Sequence, residues 1–497
     1  GIIYHGSIQD AVDAASPGDT IIVYDGTYDE QVVIDKSLTL QGGSTPIVKP
    51  SSAATLTKVF DGLFWYGTPN TKKIAGIIVA NVPDGSNVTI KDLKVDESSV
   101  TTKPAGADYL AGIFYRETGG TIDTVEIVGT GAWSGGDRAF GIYLSAATNS
   151  VSVEITGSTI TNFDKNGIEA HGNKLTFNIH HNTITGRGSV SDEVQNGVNV
   201  GRDAAGTVNY NTISNLEYGP KTWWAAAIMF YHYVSPAGVS GSARGNTITD
   251  CQIGIMFKNV NSSAQDNTVA GGTVGLTGIY AEPNYAGAYT ASFVNNTVSG
   301  VTDTGSYQNA AIGANTYATL TPGTGASLTV NIRNNHLTGG GSTNADGVYI
   351  DGSAGNVIAT ISDNFISGWN YGINLASACV TGAAITGNNI TGTYLSIRME
   401  NATGVQICGN RIIDFVKGGI VTRGAKNILV EGNIISTTLH DVAPNGIDIG
   451  IYTGTNGTVK GNNISGCSWN AFTGDYETSW SGSGILVIES GDSLEIL

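Results

Sequence analysis

Apolar residues in this chain come in runs of only a few, rich in Ile, Val, Thr and Phe, and bounded by Gly, Asn, Asp and Ser. Such runs belong to short strands and turns. The pattern is clearest at Ala384–Arg398, where a strand ending in Ile385 meets Gly387-Asn388, a second apolar pair, a turn, and a third strand around Ile397. It returns at Val405–Val421 and Ile428–Ile449. The Asn of this G-N-x-I element recurs at Asn182, Asn211, Asn246, Asn267, Asn296, Asn335, Asn364, Asn388, Asn410, Asn433 and Asn462, at intervals from 21 to 39 residues. A fixed minimum with variable excess is the signature of a solenoid coil with loops inserted at one corner. A coil of about 22 residues cannot bury its inner face alone, but stacked at about 4.8 Å per rung it can. The pattern therefore predicts an all-β, single-stranded parallel β-helix. The repeated Asn is expected to take left-handed turn backbone and to bond the same Asn one rung along, as a structural ladder and not a site.

A second marker, G-I-x-V or a close variant, runs from Ile77 through Ile113, Ile142 and Ile168 to Ile420, Ile447 and Ile485. It implies about fifteen rungs, or roughly 70 Å of stack. Side chains alternate along a strand, so the Ile points inward and the residues one and three places later point out. Those outward pairs are Phe114/Arg116, Tyr143/Ser145, Glu169/His171, Asn199/Gly201, Met229/Tyr231, Met256/Lys258 and Tyr280/Glu282. They continue as Gly313/Asn315, Tyr349/Asp351, Asn374/Ala376, Arg398/Glu400, Val421/Arg423, Asp448/Gly450 and Leu486/Ile488. One face thus gathers a large share of the ionisable groups of a chain that is only 13% charged. A merely solvated face would read Ser, Thr and Lys.

Ser7–Ala15 is the exception to the strand pattern. Ile8, Ala11, Val12 and Ala15 share a helical face, Ser7 suits an N-cap, and Ser16-Pro17-Gly18-Asp19 stops the helix. Such a helix fits as a lid over the first coil, whose strand edges would otherwise invite aggregation. Strand-like runs at Thr20–Val23, Gln31–Ile34 and Leu38–Gly42 follow. The whole opening, S-I-Q-D-A-V-D-A-A-S-P-G-D-T-I-I-V-Y-D-G-T-Y-D-E-Q-V-V-I-D-K-S-L-T-L-Q-G, resembles that of the pectin-lyase-like superfamily. The G-N-x-I and G-I-x-V repeats extend the resemblance over nearly the whole chain. It implies a right-handed helix, in agreement with the handedness of parallel crossovers. It covers pectate and alginate lyases, polygalacturonase-like hydrolases, esterases, epimerases, tailspikes and surface proteins, and does not select an activity. The polygalacturonase pattern of N-T-D, G-H-G and R-I-K is not found, and no family's catalytic residues carry over to numbered positions.

Composition narrows the partners. The 497 residues include 69 Gly but only 11 Pro, so glycine serves turns. Length alone would suggest several domains, but a solenoid grows in one direction, so 1–497 reads as one β-helix domain capped by residues 7–15. The chain ends at Leu497 inside strand-like sequence, as a truncated chain or one with a further module would. The net charge of −17 argues against duplex nucleic acid and anionic membrane as partners. No run of 18 apolar residues predicts a membrane span. Cys251, Cys379, Cys408 and Cys467 are widely separated, without metal-ligand spacing, and read as buried apolar residues.

The candidate chemistry is that of carbohydrate. Pyranose faces stack on Trp and Tyr, while Asn, Asp and Arg bond hydroxyls. Insertions cluster mid-chain, bringing Tyr218, Trp223, Trp224, Tyr231, His232 and Tyr233, then Tyr285 and Tyr289, then Tyr317. Trp469, Tyr476 and Trp480 form a later aromatic loop. Carboxylates on the outward face are Glu169, Glu282, Asp351, Glu400 and Asp448. Glycoside hydrolysis needs two, about 5 Å apart to retain and about 6.5–9.5 Å to invert configuration. Glu282 and Asp351, two rungs apart, are the expected acid and base of a secreted or cell-surface glycoside hydrolase. The expected substrate-binding residues are Trp223, Trp224, Tyr231, His232, Tyr280, Asn315, Tyr349, Arg398, Glu400 and Arg423, with Lys258 counted in the catalytic group beside the pair and holding substrate there. Each charge also has a plainer reading, as a solvated surface group or, for Lys258, as the ion-pair partner of Glu282. The alternatives are a polysaccharide lyase with Lys258 as base and Arg398 and Arg423 holding a uronate, or a non-enzymatic glycan-binding surface module. No cofactor is expected; Asp346 with Asp351 offers too few ligands for a firm Ca²⁺ site.

Overall fold

A computed structural model of the chain describes residues 4–64, 71–132, 138–220, 222–232, 239–271, 277–302, 309–316, 325–341, 344–353, 355–438, 447–465, 483–487 and 494–497. They fall into two compact units, one of residues 1–235 and 239–256, the other mainly of residues 257–497. The aromatic loop of Trp469, Tyr476 and Trp480, and also Tyr233, Tyr317 and Cys467, lie outside the described residues.

In each unit the chain winds through three short strands per coil, and equivalent strands pair in parallel into three sheets. In the first unit Val88–Lys91, Gly120–Asp123 and Val151–Thr156 are neighbours in the first sheet. Lys94–Asp96, Glu126–Val128 and Thr159–Thr161 are neighbours in the second. Tyr109–Arg116, Arg138–Ser145, Asn166–His171 and Asn196–Gly201 are neighbours in the third. The second unit repeats the scheme, with Ile373, Ile397, Ile420 and Ile449 stacked in one row of its third sheet. All four are fully buried, as the inward half of each alternation requires.

Two register markers shift. Ile113 pairs with Ile78, not Ile77, and Ile420 pairs with Ile449, not Ile447. Runs such as I-I and I-D-I-G-I offer two frames, and packing chooses between them. In consequence Asp448 is buried and does not point outward; Gly450 and Tyr452 take the outward places beside Val421 and Arg423.

The Asn ladder is present, with one change in how it works. Asn388 donates its backbone N–H and Nδ2–H to Asn410 Oδ1 at 3.0 and 2.9 Å, and Nδ2 also reaches Ile361 O at 2.9 Å. The same bonds link Asn182 to Asn211 and Asn211 to Asn246 in the first unit, and Asn364 to Asn388 and Asn410 to Asn433 in the second. The left-handed backbone belongs to the residue before each ladder Asn: His181, Tyr210, Asp266, Asn295, Asn334, Asp363, Gly387, Gly409 and Gly432 all have φ between 55° and 65°. The turn therefore favours Gly, Asn or Asp one place earlier, though His181 and Tyr210 also take it, and the ladder Asn needs only its amide. The Gly of G-I-x-V has a different reason. A Cβ on Gly347 would sit 2.6 Å from Gly372 O and 2.7 Å from Ile366 Cγ2, so the coil closes only without one.

The helix Ile8–Ala14 caps the first coil and buries Ile8 and Val12. Ser7 Oγ accepts from Asp10 N–H at 3.0 Å, and the Glu30 carboxylate accepts from Ile8 and Gln9 N–H at 2.9 and 2.8 Å. Lys36 Nζ donates to the carbonyls of Val12 and Ala15 at the other end. An anion at the N-terminus and a cation at the C-terminus suit the helix dipole. The Gln9 amide bonds Val33 N–H and O, occupying the strand edge that the lid was expected to cover.

Cys251 is buried, which pushes its thiol up to about 12. Cys379, against expectation, is exposed, and Cys408 is partly so.

Candidate functional site

The outward face of the third sheet differs between the units. In the first unit Glu169 and His171 take their expected register, with Glu169 between Tyr143 and Asn199 and His171 between Ser145 and Gly201. They do not meet solvent: Tyr143, Glu169 and His171 are at most 1% exposed. The cover is the chain segment 60–64. Phe60–Leu63 pairs antiparallel with Thr71–Ile74 and lies over the sheet. Phe60 and Phe64 pack with Ile74, Val79, Tyr109, Phe114, Phe140 and Tyr143 into a core outside the coil.

The polar groups under this strap hold its backbone. Ser145 Oγ accepts from Leu63 N–H at 2.9 Å, and Leu63 O accepts from Tyr143 OH and lies 3.0 Å from His171 Nδ1. Arg202 Nε donates to Phe64 O at 2.7 Å, and Arg116 Nε to Asp61 O at 2.8 Å. The other side of His171 faces Glu169 at 2.9 Å, and the Glu169 carboxylate also accepts from Asn166 and Asn199. An acid, a histidine and a tyrosine are thus assembled as catalysis would require, but the strap's own carbonyl occupies the position a reacting group would take.

The mid-chain aromatic residues of this unit differ in exposure. Trp223 is 69% exposed, and its carbonyl accepts from Gln252 Nε2 at 3.1 Å. Gln252 Oε1 in turn accepts from Tyr218 and Ala225 N–H, so one buried amide pins the loop. Trp224 and Tyr231 are half-buried. His232 is 1% exposed, and its Nδ1 accepts the Asp203 N–H at 2.9 Å.

In the second unit the same face stays partly open. Tyr280, Gly313, Tyr349, Asn374 and Arg398 stack in one row, rung by rung. Two places on, Asn315 pairs with Asp351, and Glu282 follows the Ala281–Ala314 pair into line with Asn315. Glu282, Asn315 and Asp351 therefore form a second row, the carboxylates two rungs or about 9.6 Å apart along the stack. Gly313 makes room for this: a Cβ there would meet the Tyr280 ring at 2.4 Å. The Tyr280 ring lies over the next rung.

Electrostatics tie the rows together. Lys258 Nζ lies 3.0 Å from Glu282 Oε1, and both residues are buried. The plainer reading of Lys258, as the partner of Glu282, is thus what the geometry contains. Tyr349 OH donates to Asp351 Oδ2 at 3.3 Å, and Ser353 N–H to Asp351 Oδ1 at 2.9 Å. Burial, with Glu282, Tyr349 and Asp351 adding to it, pushes the Tyr280 phenol well above its ordinary range. Burial and then Asp351 do the same to Tyr349, against the pull of Arg398. Both phenols are therefore protonated donors at any ordinary pH. Arg398 stacks on Tyr371 at 5.1 Å, donates to Asn374 Oδ1 at 3.0 Å and pairs with Glu400. Asn374 donates to Asp346 Oδ2 at 2.9 Å. Arg423 pairs in register with Glu400 and is exposed. Asn315 Oδ1 is buried without a hydrogen-bond partner.

Sequence reasoning singled out Glu282, Asn315, Tyr349, Asp351 and Arg398. It did not give parts to Asn374 and Tyr371, although Asn374 stood among the outward pairs. Among the described residues no group of three or more His, Cys, Asp or Glu could hold a metal ion, and no helix is long and apolar enough to cross a membrane.

Residues 346–496 match the family described as "Right handed beta helix region". In structure the chain is similar to XylC with xylose, at 12% identity over 72% of this chain and 82% of that one, with a TM-score of 0.45. It is similar to the family 28 exopolygalacturonase of Yersinia enterocolitica, at 13% identity over 85% and 74% of the two chains, TM-score 0.41. It is also similar to the tailspike of E. coli bacteriophage HK620, at 12% identity over 83% and 71%, TM-score 0.45. No curated protein matches the sequence. The three-strand coils, the capping helix and the match over residues 346–496 give this chain the fold of a right-handed parallel β-helix.

Proposed function

We propose that the protein acts on a polysaccharide outside the cell as a glycoside hydrolase, with Glu282 and Asp351 as the paired carboxylates. The observation that carries this reading is the row Glu282–Asn315–Asp351, which sets two carboxylates two rungs apart on a half-open face beside tyrosines. About 9.6 Å along the stack is at the upper end of the spacing that admits a water and inverts configuration. One carboxyl would protonate the glycosidic oxygen as its bond to the anomeric carbon breaks. The other would take a proton from the water that attacks the same carbon. Tyr280 and Tyr349 would offer ring faces and phenol donors, and Asn315 would reach the sugar hydroxyls. Arg398 and Glu400 would extend the binding surface along the row.

The lyase reading is weaker because Lys258, its base, faces Glu282 at 3.0 Å. Pure glycan binding keeps one specific support, the exposed ring of Trp223. The test is turnover over a panel of polysaccharides by wild type, Glu282→Gln and Asp351→Asn. Loss in both variants with intact folding supports the hydrolase. Binding without turnover supports the module, and an unsaturated product absorbing near about 235 nm the lyase.

A further inference from the structure

The charge balance of the second unit's face says which glycans it suits. Four carboxylates line the two rows or sit directly behind them: Glu282, Asp346, Asp351 and Glu400. Two cations stand among them, and each is engaged within the protein. Lys258 pairs with Glu282, while Arg398 is shared by Glu400, Asn374 and the Tyr371 ring. Arg423, the next cation along, is exposed opposite Glu400, and even with it the acids stay in excess. The remaining polar groups are neutral and suit hydroxyls: the two raised phenols and the unpartnered, nine-tenths buried Oδ1 of Asn315, an acceptor with no charge to offer an anion. A substrate carboxylate would enter a face that already repels it, in a molecule of net charge −17.

We infer that the substrate is a glycan without carboxylate, sulfate or phosphate groups, selected by exclusion of anions from this face. The inference rests on the carbohydrate reading above. Arg398 is the latent anion site: Glu400 occupies the guanidinium that a uronate carboxylate would need. Removing that carboxylate would release it.

The test measures binding of size-matched neutral oligosaccharides (xylan-, glucan- and mannan-derived) and of oligogalacturonate and oligoalginate, to wild type and to Glu400→Gln, by calorimetry at about 0.05 M salt. The expected result is binding confined to a neutral oligosaccharide. Oligogalacturonate should bind at least about tenfold more weakly in wild type, and tighten by about tenfold in Glu400→Gln. Preference of the wild type for either anionic oligosaccharide overturns the inference and leaves the carbohydrate reading standing. An unchanged anion affinity in a folded Glu400→Gln overturns the part given to Arg398. Binding of no glycan in the panel removes the carbohydrate reading and the inference with it.

Discussion

Each unit presents the outward face of its own third sheet, and the two faces are used differently. In the first, Tyr143, Glu169 and His171 lie under segment 60–64, whose Leu63 carbonyl accepts from Tyr143 and faces His171, while Glu169 holds His171 from the other side. In the second, Tyr349, Asp351 and Arg398 take equivalent outward places and remain partly exposed. Residue chemistry alone does not separate them: each has an acid, a phenol and a nitrogen-bearing side chain within three rungs. The difference is what covers the face. A polar cluster buried beneath a covering backbone that it bonds is a fastening, whereas one whose carboxylate and ring faces stay partly exposed can take a ligand.

Substitutions can break this comparison, and the largest effect belongs to the open face. Glu282→Gln and Asp351→Asn should each lower turnover by about a thousandfold, Asp351→Asn with the melting temperature nearly unchanged and Glu282→Gln with a lower one, since it leaves Lys258 buried without its partner. Glu169→Gln should do the reverse, lowering the melting temperature and leaving turnover per folded molecule intact. Equal loss of turnover in all three, measured on chains shown to be folded, would erase the distinction. Next in size, Phe64→Ala removes the ring between Tyr109 and His171 and should destabilise by about 3 kcal/mol in chemical denaturation. If it instead leaves stability untouched, the strap is not the cover described.

Asn388→Ala should cost about 2 kcal/mol, because it strips the acceptor from two donors of Asn364 inside the wall of the coil. Activity should survive, and a loss of turnover at unchanged stability would move the ladder into the site. The smallest effect tests a buried acid away from both faces. Glu97 is fully buried, and burial, then Asp164 and Asp96, push its carboxyl well above the usual range against the pull of the Gly112 amide. A carboxyl raised in the folded state favours folding while protonated, and that support is lost as pH rises above its unfolded value near 4.5. Glu97→Gln should therefore raise the melting temperature at pH 7 and give no gain at pH 4. A gain that is the same at both pH values would mean the proton is not involved.

Much of the fold was legible in the sequence because the coil repeats it. Asn182 to Asn462 and the Gly-Ile pairs report a contact with the same residue one turn away, so periodicity exposes them. The slips at Ile77 and Ile447 come from adjacent apolar residues that satisfy alternation in two frames. The strap was not legible for a different reason. Phe60–Phe64 contacts Tyr143, His171 and Arg202, 80 to 138 residues onward, and does so once. Nothing periodic marks such a contact. The one signal is local: Gly62, where a Cβ would strike Ile74 Cδ1 at 2.4 Å, sits within the aromatic run F-D-G-L-F. In the second unit the row Glu282–Asn315–Asp351 was legible from alternation alone. The parts of Asn374 and Tyr371 were not, since they act by holding Arg398.

The central claim is that the two carboxylates stand two rungs apart with a sugar and a water between them. The anomeric configuration of the first product, followed by proton NMR from the start of hydrolysis on a neutral polysaccharide, tests it most directly. Two-rung spacing predicts a product of inverted configuration that later mutarotates. Retained configuration in the first product would contradict the pairing of Glu282 with Asp351, and an unsaturated product would contradict hydrolysis itself.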